Sequence, residues 1–233
     1  MITCISASNR HFSDQRWQQA YWLFSFSDYY DSGNVRLGKL RIFNDVVVQP
    51  HEGFGVHPHE EMEIVTIMLS GQMTHTDSAG ARVVIHSGDV VRMTAGTGIT
   101  HSERNLSGEP ARFLQIWIFP DQQGLLPSYQ QASFAPSGFA GKLVPLASGR
   151  GHAGAVGMHA DAAIYRACLQ SGFKVDYAVG ADRSALIYVL SGLMTVNGFA
   201  VEQGGHARVQ KEEGITLASP SDSEFILVDV AAR

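Results

Sequence analysis

The sequence predicts an all-β protein assembled from two copies of one barrel-type unit. Three observations carry that expectation: strand-length runs separated by glycine turns, few stretches with helical periodicity, and an internal repeat. The runs VRLGKLRIF, MEIVTIMLSG, ARVVIHSG, ARFLQIWIF and SALIYVLSG are β-branched or aromatic, and 24 glycines are spread between such runs along 233 residues. Many short strands bounded by turn residues point to a sandwich or a barrel.

The repeat settles the organisation. IMLSGQMT (Ile67 to Thr74) matches YVLSGLMT (Tyr188 to Thr195) at an offset of 121. HSGDVVRM (from His86) matches EQGGHARV (from Glu202) at an offset of 116, and GITHSE (from Gly98) matches GITLAS (from Gly214) at that same offset. The difference falls where the first half has the longer hairpin loop, TDSAGA. Self-similarity of this kind signals a duplicated structural unit. A segment rich in Gln, Ser and Pro from Pro120 to Gly138 reads as the crossing between halves. The expected domains are therefore residues 1–135 and 136–233.

Composition narrows the functional classes. Apolar residues make up 45% of the chain, ample for a packed core, and no run approaches the roughly 20 apolar residues of a membrane span. The net charge of −5, with no basic stripe, argues against direct nucleic-acid binding but leaves a protein partner on DNA open. The first residues, MITCISASNRHFSDQRW, contain no apolar signal core. Cys4 and Cys168 stand far apart and outside any CxxC pattern, so a cytoplasmic setting is expected.

Two segments carry the chemistry, FGVHPHEEMEI (Phe54 to Ile64) and TAGTGITHSERN (Thr94 to Asn105). They supply His57, His59, His101 and Glu103, two pairs at i, i+2 spacing. Residues two apart on a strand point to one face, so each pair can chelate a single ion. Three imidazoles and a carboxylate suit a divalent first-row metal: Fe, Mn, Co, Ni, Cu or Zn. Glu60, Glu61 and Glu63 compete for the carboxylate place, and Glu61 and Glu63 share the face of His57 and His59 on a regular strand. The repeat offsets replace His57 and His59 by Ala178 and Gly180, His101 by Leu217, and Glu103 by Ser219. Residues needed only for folding would in part recur, so one metal site in the first barrel and a structural second barrel are expected.

These residues resemble the cupin superfamily and, within it, the pirin family of two-barrel proteins. HPHEEME is similar to a first cupin motif, and Gly88 to Asn105 to a second. AYWLFSFSDYYD followed by LRIFNDVVVQP resembles the pirin amino-terminal signature. The resemblance implies two cupin-type, double-stranded β-helix barrels and a mononuclear metal, often iron, held by residues matching His57, His59, His101 and Glu103. It also favours Glu103 over Glu63 as ligand, leaving Glu63 to orient an imidazole or to face water. Two departures stand out: Trp22-Leu23 replaces a histidine the family usually has, and one extra residue separates Glu63 from Gly71. Bacterial relatives are associated with quercetin 2,3-dioxygenase activity and eukaryotic ones with transcription co-regulation. The implied activity is therefore opening of a flavonol by O2 at iron(II), with Glu103 as general base. The rivals are a metal-binding regulatory protein that acts through a protein partner and a different cupin enzyme, such as an isomerase or a sulfur-compound dioxygenase; an apolar mouth around Gln115 and Trp117 favours a flavonol, a cationic pocket a small acid.

The remaining motifs read more simply. The AGTG loop (Ala95 to Gly98) is followed by no helix, so it is expected to be a tight turn bringing His101 to the ion rather than a phosphate cradle. His75, His86, His152, His159 and His206 are expected to be solvated or capping. Phe113, Gln115, Trp117 and Phe119 alternate on one strand face, and Gln115 and Trp117 would line an apolar substrate pocket if that face meets the barrel opening. Trp17, Tyr21, Trp22, Phe24, Phe26, Tyr29 and Tyr30 are expected to pack between the barrels.

Overall fold

The computed structural model describes residues 1–233 and is almost entirely strand, with only two short 3₁₀ turns, Ala7–Asn9 and Pro136–Phe139. No helix is long and apolar enough to cross a membrane. The strands form two seven-stranded and two four-stranded sheets. In the first half the strand Leu40–Val48 lies between Gln18–Trp22 and Ala111–Ile118, and Glu63–Ser70 joins Ala111–Ile118 to Asp89–Thr94. The facing small sheet orders Gly53–His59, Ile99–Arg104, Gln72–Asp77 and Arg82–His86. The second half repeats this plan, with Ala162–Leu169, Ser223–Ala231, Arg183–Ser191 and His206–Gln210 as its large-sheet core. Two cupin-type domains are present, as the repeat required.

The central strands read as nearly unbroken apolar runs because both of their faces are buried. Along Glu63–Ser70, Val65 and Ile67 join a cluster shared by the two barrels, while Ile64 and Met68 point into the first barrel. Ala111–Ile118 behaves alike: Leu114, Ile116 and Ile118 face the other barrel, and Phe113, Gln115 and Trp117 face inward. Strand alternation does this sorting. The shared cluster holds 25 buried residues from both halves, among them Phe24, Phe43, Tyr188 and Ile226. Each large side chain buried there contributes roughly 1.5–3 kcal/mol, so the large sheets are welded rather than hinged.

Polar bonds cross the same interface. Buried Asp45 accepts two hydrogen bonds from Arg112, at 3.0 and 2.8 Å, and one from the Tyr188 hydroxyl at 2.6 Å. Arg92 donates to the Gly157 carbonyl at 2.8 Å.

Three expectations need correction. Ile2–Ile5 pairs with His206–Gln210, so the amino terminus belongs to the second barrel's sheet, whereas Ser128–Ser133 still belongs to the first. A division near 135 remains our proposal with residues 2–5 transferred. Of the aromatic cluster, Phe24 packs between the barrels, but Trp17, Trp22 and Phe26 line a cavity in the first barrel. Finally, register replaces the offset assignment of the missing histidines. His57 lies opposite His101 and His59 opposite Ile99, while Val175 lies opposite Leu217 and Tyr177 opposite Ile215. The counterparts of His57 and His59 are therefore Val175 and Tyr177, because the connections that follow these strands differ in length.

Candidate metal centre

Cross-strand pairing assembles the centre. His57 and His101 are direct partners in the antiparallel pair Gly53–His59 and Ile99–Arg104, and His59 is two residues along from His57 on the same face. The three ring centroids lie 4.4 to 4.8 Å apart, and one nitrogen from each ring falls within 4.8 Å of the others. The turn before His101 depends on Gly96. Its φ is +48°, and a Cβ there would sit 1.9 Å from the Leu125 carbonyl oxygen, so no other residue fits.

Register breaks between His101 and Glu103, where Glu103 pairs with Phe54. The bulge sets the carboxylate beside a fourth histidine: His75 is its partner on the other neighbouring strand, and ligand atoms of His75, His101 and Glu103 lie within 4.8 Å. Glu103 nevertheless lines the same cavity as His57 and His59. It is 4% exposed and accepts a hydrogen bond from Gln115 Nε2 at 3.0 Å. Burial pushes its carboxyl up to about 7, against the opposing influence of the Gln115 bond.

Hydrogen-bond polarity fixes which nitrogens are free. Asp77 can only accept, so His75 Nε2 donates to it at 2.9 Å, leaving His75 Nδ1 as an acceptor. His101 Nδ1, 3.4 Å away, then carries the proton, and the lone pair of His101 Nε2 is left buried without a partner. On the other strand His57 Nδ1 donates to the Gly55 carbonyl at 2.7 Å, which frees its Nε2 as well. Burial and the charge of His57 lower the His59 imidazole to about 4, and burial with three neighbouring imidazoles lowers His101 further. Both rings are neutral at pH 7, the form that binds a metal. An orphaned buried lone pair among converging neutral imidazoles and a carboxylate fits a divalent ion.

The cavity above the centre has a volume of about 350 Å³, with Trp17, Trp22, Phe26, Phe54 and Trp117 as aromatic walls. Trp117 packs edge-on to His59 at 4.8 Å and Phe26 edge-on to Trp117 at 5.5 Å.

The structure thus brings together His57, His59 and His101, places Glu103 on their inner side, and puts Gln115 and Trp117 in the cavity wall. Gln115 does more than line it, since its amide holds the carboxylate. Glu63 does not orient an imidazole and does not face water. It is fully buried between the barrels, where Oε2 accepts the His159 N–H at 3.1 Å and lies 3.9 Å from Arg92. Its place in the strand puts it on the face of Val65 and Ile67. His75 and His206 are not solvated either, at 2% and 1% exposure. The sequence signal for His75 was its separation from Asp77, the same i, i+2 spacing as the other pairs.

Comparison with known proteins agrees with this architecture. A family model described as Pirin matches residues 6–118, and one described as a quercetinase C-terminal cupin domain matches residues 145–230. The fold and site define a two-domain cupin protein with a single candidate metal centre. Within that class the chain belongs to the pirin family. It is 40% identical to a pirin-like protein of Caulobacter vibrioides over 94% of this chain and 95% of the relative. It is 35% identical to a protein of Escherichia coli K12 named quercetin 2,3-dioxygenase, over 99% of both chains. The crystal structure of the bacterial pirin YhhW from Escherichia coli in complex with nickel(II) superposes with a TM-score of 0.94 at 33% identity, covering 100% of both chains.

Proposed function

We propose that this protein is a metal-dependent dioxygenase that opens the central ring of a flavonol such as quercetin, and that His57, His59, His101 and Glu103 hold the metal. The observation that carries the reading is the unpartnered His101 Nε2 among converging imidazoles, next to an aromatic-walled cavity lined by His57, His59 and the buried carboxylate of Glu103. The relative named quercetin 2,3-dioxygenase and the nickel(II) complex of YhhW support it. When bound, a divalent metal, iron(II) in this reading, supplies a Lewis acid for a substrate hydroxyl and a redox centre for reaction with O2.

The chain's own residues do the rest. Trp17, Trp22, Phe26 and Phe54 offer flat apolar surface to a polyphenol and exclude water from the cavity. Glu103 takes the proton of the flavonol 3-hydroxyl at Oε1, the oxygen not engaged by Gln115. In the metal-free protein burial raises this carboxyl, which makes it a stronger proton acceptor than a solvated carboxylate. Gln115 keeps the other oxygen fixed and the carboxylate aimed inward. His57, His59 and His101 bring one ring nitrogen each within 4.8 Å of the others, His59 and His101 in their neutral form. In the net reaction both oxygen atoms of O2 enter the ring-opened product and carbon monoxide leaves.

The test is oxygen uptake and carbon monoxide release with quercetin, comparing anaerobically iron-loaded protein with metal-free protein. Metal-dependent uptake with matching carbon monoxide is expected. One-to-one iron loading with neither would overturn the reading in favour of a metal-binding regulator that acts through a protein partner.

A further inference from the structure

The strand Gln18–Trp22 carries one polar residue on a face that is otherwise apolar. Gln18, Ala20 and Trp22 alternate inward, and Ala20 and Trp22 belong to the first barrel's apolar cluster. Gln18 is 5% exposed and lines the aromatic-walled cavity beside the metal centre. Its side-chain amide makes no hydrogen bond to the chain, yet neither Oε1 nor Nε2 is sealed from solvent. The free amide atoms therefore face the cavity that the residue lines. A side-chain amide this deeply buried and left unbonded by its own chain is rare.

Register sets this amide apart from the carboxylate. Gln18 lies opposite Val48 and Val48 opposite Ala111, whereas Gln115, which holds Glu103, stands four residues further along that strand. Four residues are roughly 13 Å of strand. Both glutamines nevertheless line the one cavity. A ligand that reaches from Glu103 to Gln18 must therefore be longer than a single ring.

Charge and donor type select the chemistry at the far end. No lysine or arginine lines the cavity, and Glu103 does, so a carboxylate-bearing ring is disfavoured there. An amide presents an acceptor and a donor side by side. That pattern matches two adjacent ring hydroxyls, one donating to Oε1 and the other accepting from Nε2. Resting on the flavonol reading above, we infer that Gln18 is a specificity-determining residue: it selects substrates whose ring remote from the metal is a catechol over those whose remote ring is bare. Gln18 touches that ring and neither the metal nor the reacting hydroxyl. A site built to hydrogen-bond a substrate hydroxyl rejects an analogue without it, because its own polar group is then left unpaired.

Anaerobic calorimetric titration of the full-length, iron(II)-loaded protein tests the assignment. The probes are quercetin, which has a catechol ring, and galangin, in which that ring carries no hydroxyl. Without O2 the readout is affinity rather than turnover. Quercetin is expected to bind about tenfold or more tightly than galangin, the effect of two hydrogen bonds. Gln18→Leu should bring quercetin to within about twofold of galangin while galangin keeps its affinity. Gln18→Met, which keeps the length of the side chain, decides the matter if Gln18→Leu fails to fold. Equal affinities in the unaltered protein overturn the inference, as does a preference that survives in both variants. So does a parallel loss of both ligands, which would mean that Gln18 only shapes the cavity, and so does absence of binding by either. The reaction is judged separately by oxygen uptake. The preference without uptake would sink the dioxygenase reading and leave Gln18 as a binding determinant, whereas uptake without the preference would sink the inference alone.

Discussion

The two barrels share a strand plan but use their interiors in opposite ways. Where the first places His101, Glu103 and Gln115, the second places Leu217, Ser219 and Leu227. Leu217 and Leu227 belong to a closed apolar core of 17 residues. Even the pair near the opening is recast. His59 packs on Trp117 in the first barrel, whereas its counterpart Tyr177 donates a 2.5 Å hydrogen bond to Asp229, the counterpart of Trp117. Asp229 is 0% exposed and also accepts from Arg150 at 2.9 Å and from Arg183 at 2.6 Å. The polar atoms of Tyr177 and Asp229 are thus satisfied by the chain itself. In the first barrel, His101 Nε2 is not. A barrel that keeps an unsatisfied lone pair in its interior bears a cost that only a ligand offsets.

Exchanging the residue at one equivalent position should produce the largest effect. His101→Leu installs the second barrel's residue in the first, and metal content measured by elemental analysis should fall to background while the fold persists. Stoichiometric metal in that variant would break the comparison, since the difference between the barrels would then not be ligation. The reciprocal disruption is Asp229→Ala, which strips the acceptor from two arginines and Tyr177. Removing one partner of a buried ion pair typically costs about 3–5 kcal/mol, so the urea midpoint should drop steeply with metal stoichiometry unchanged. Loss of metal on Asp229→Ala would show that the barrels do not divide the work as described.

Much of this contrast was legible in the sequence, and the illegible parts have physical reasons. Strand alternation and the repeat reveal the duplicated β architecture, and i, i+2 spacing reveals the histidine pairs, because both are local. Register is not local. The counterparts of His57 and His59 were misplaced by three residues because loop lengths between the matching blocks differ. Glu63 shares parity with His57 and His59 only if the strand is continuous, but the chain turns at Glu60 to Met62, with Glu61 at φ +48°, and parity is lost. The burial of His75 and His206 depends on which sheet covers them, a tertiary property. The transfer of Ile2–Ile5 to the second barrel left no mark in composition or motif.

His75 and Asp77 sharpen the comparison further, since they form the support that holds one ligand's tautomer. His75→Ala removes the acceptor for His101 Nδ1–H, and Asp77→Asn removes the carboxylate that sets the His75 tautomer. Losses of outer partners of metal-binding histidines commonly cost about 10–100-fold in affinity. Competition against a fluorescent chelator should show that range for both variants, with Asp77→Asn the milder. Unaltered affinity in both would mean that His101 is oriented by its strand alone.

The smallest expected effect concerns Gln115, whose counterpart is Leu227. In the metal-free protein the Glu103 carboxyl is raised from an ordinary 4.5 to about 7, chiefly by burial, so the folded state holds a proton that the unfolded state releases. The stability this group contributes is therefore full below about 4.5 and lost as pH rises through 7. His59, lowered to about 4, acts in the other direction, and its contribution is lost as pH falls from 6.5 through 4. Glu103→Gln should abolish the decline on the alkaline side and leave the acidic one intact. Gln115→Leu should do something subtler. The Gln115 bond lowers the carboxyl, so its removal raises the titration still higher and moves the alkaline decline to higher pH. Metal affinity should shift with it, because the ligand form of Glu103 is the deprotonated one. Urea midpoints of the metal-free variants across pH 5 to 9 would follow the first effect, and chelator competition over the same range the second. A decline that keeps its position in Gln115→Leu would mean that the amide only lines the cavity, and that burial alone sets the carboxylate on which the first barrel differs from the second.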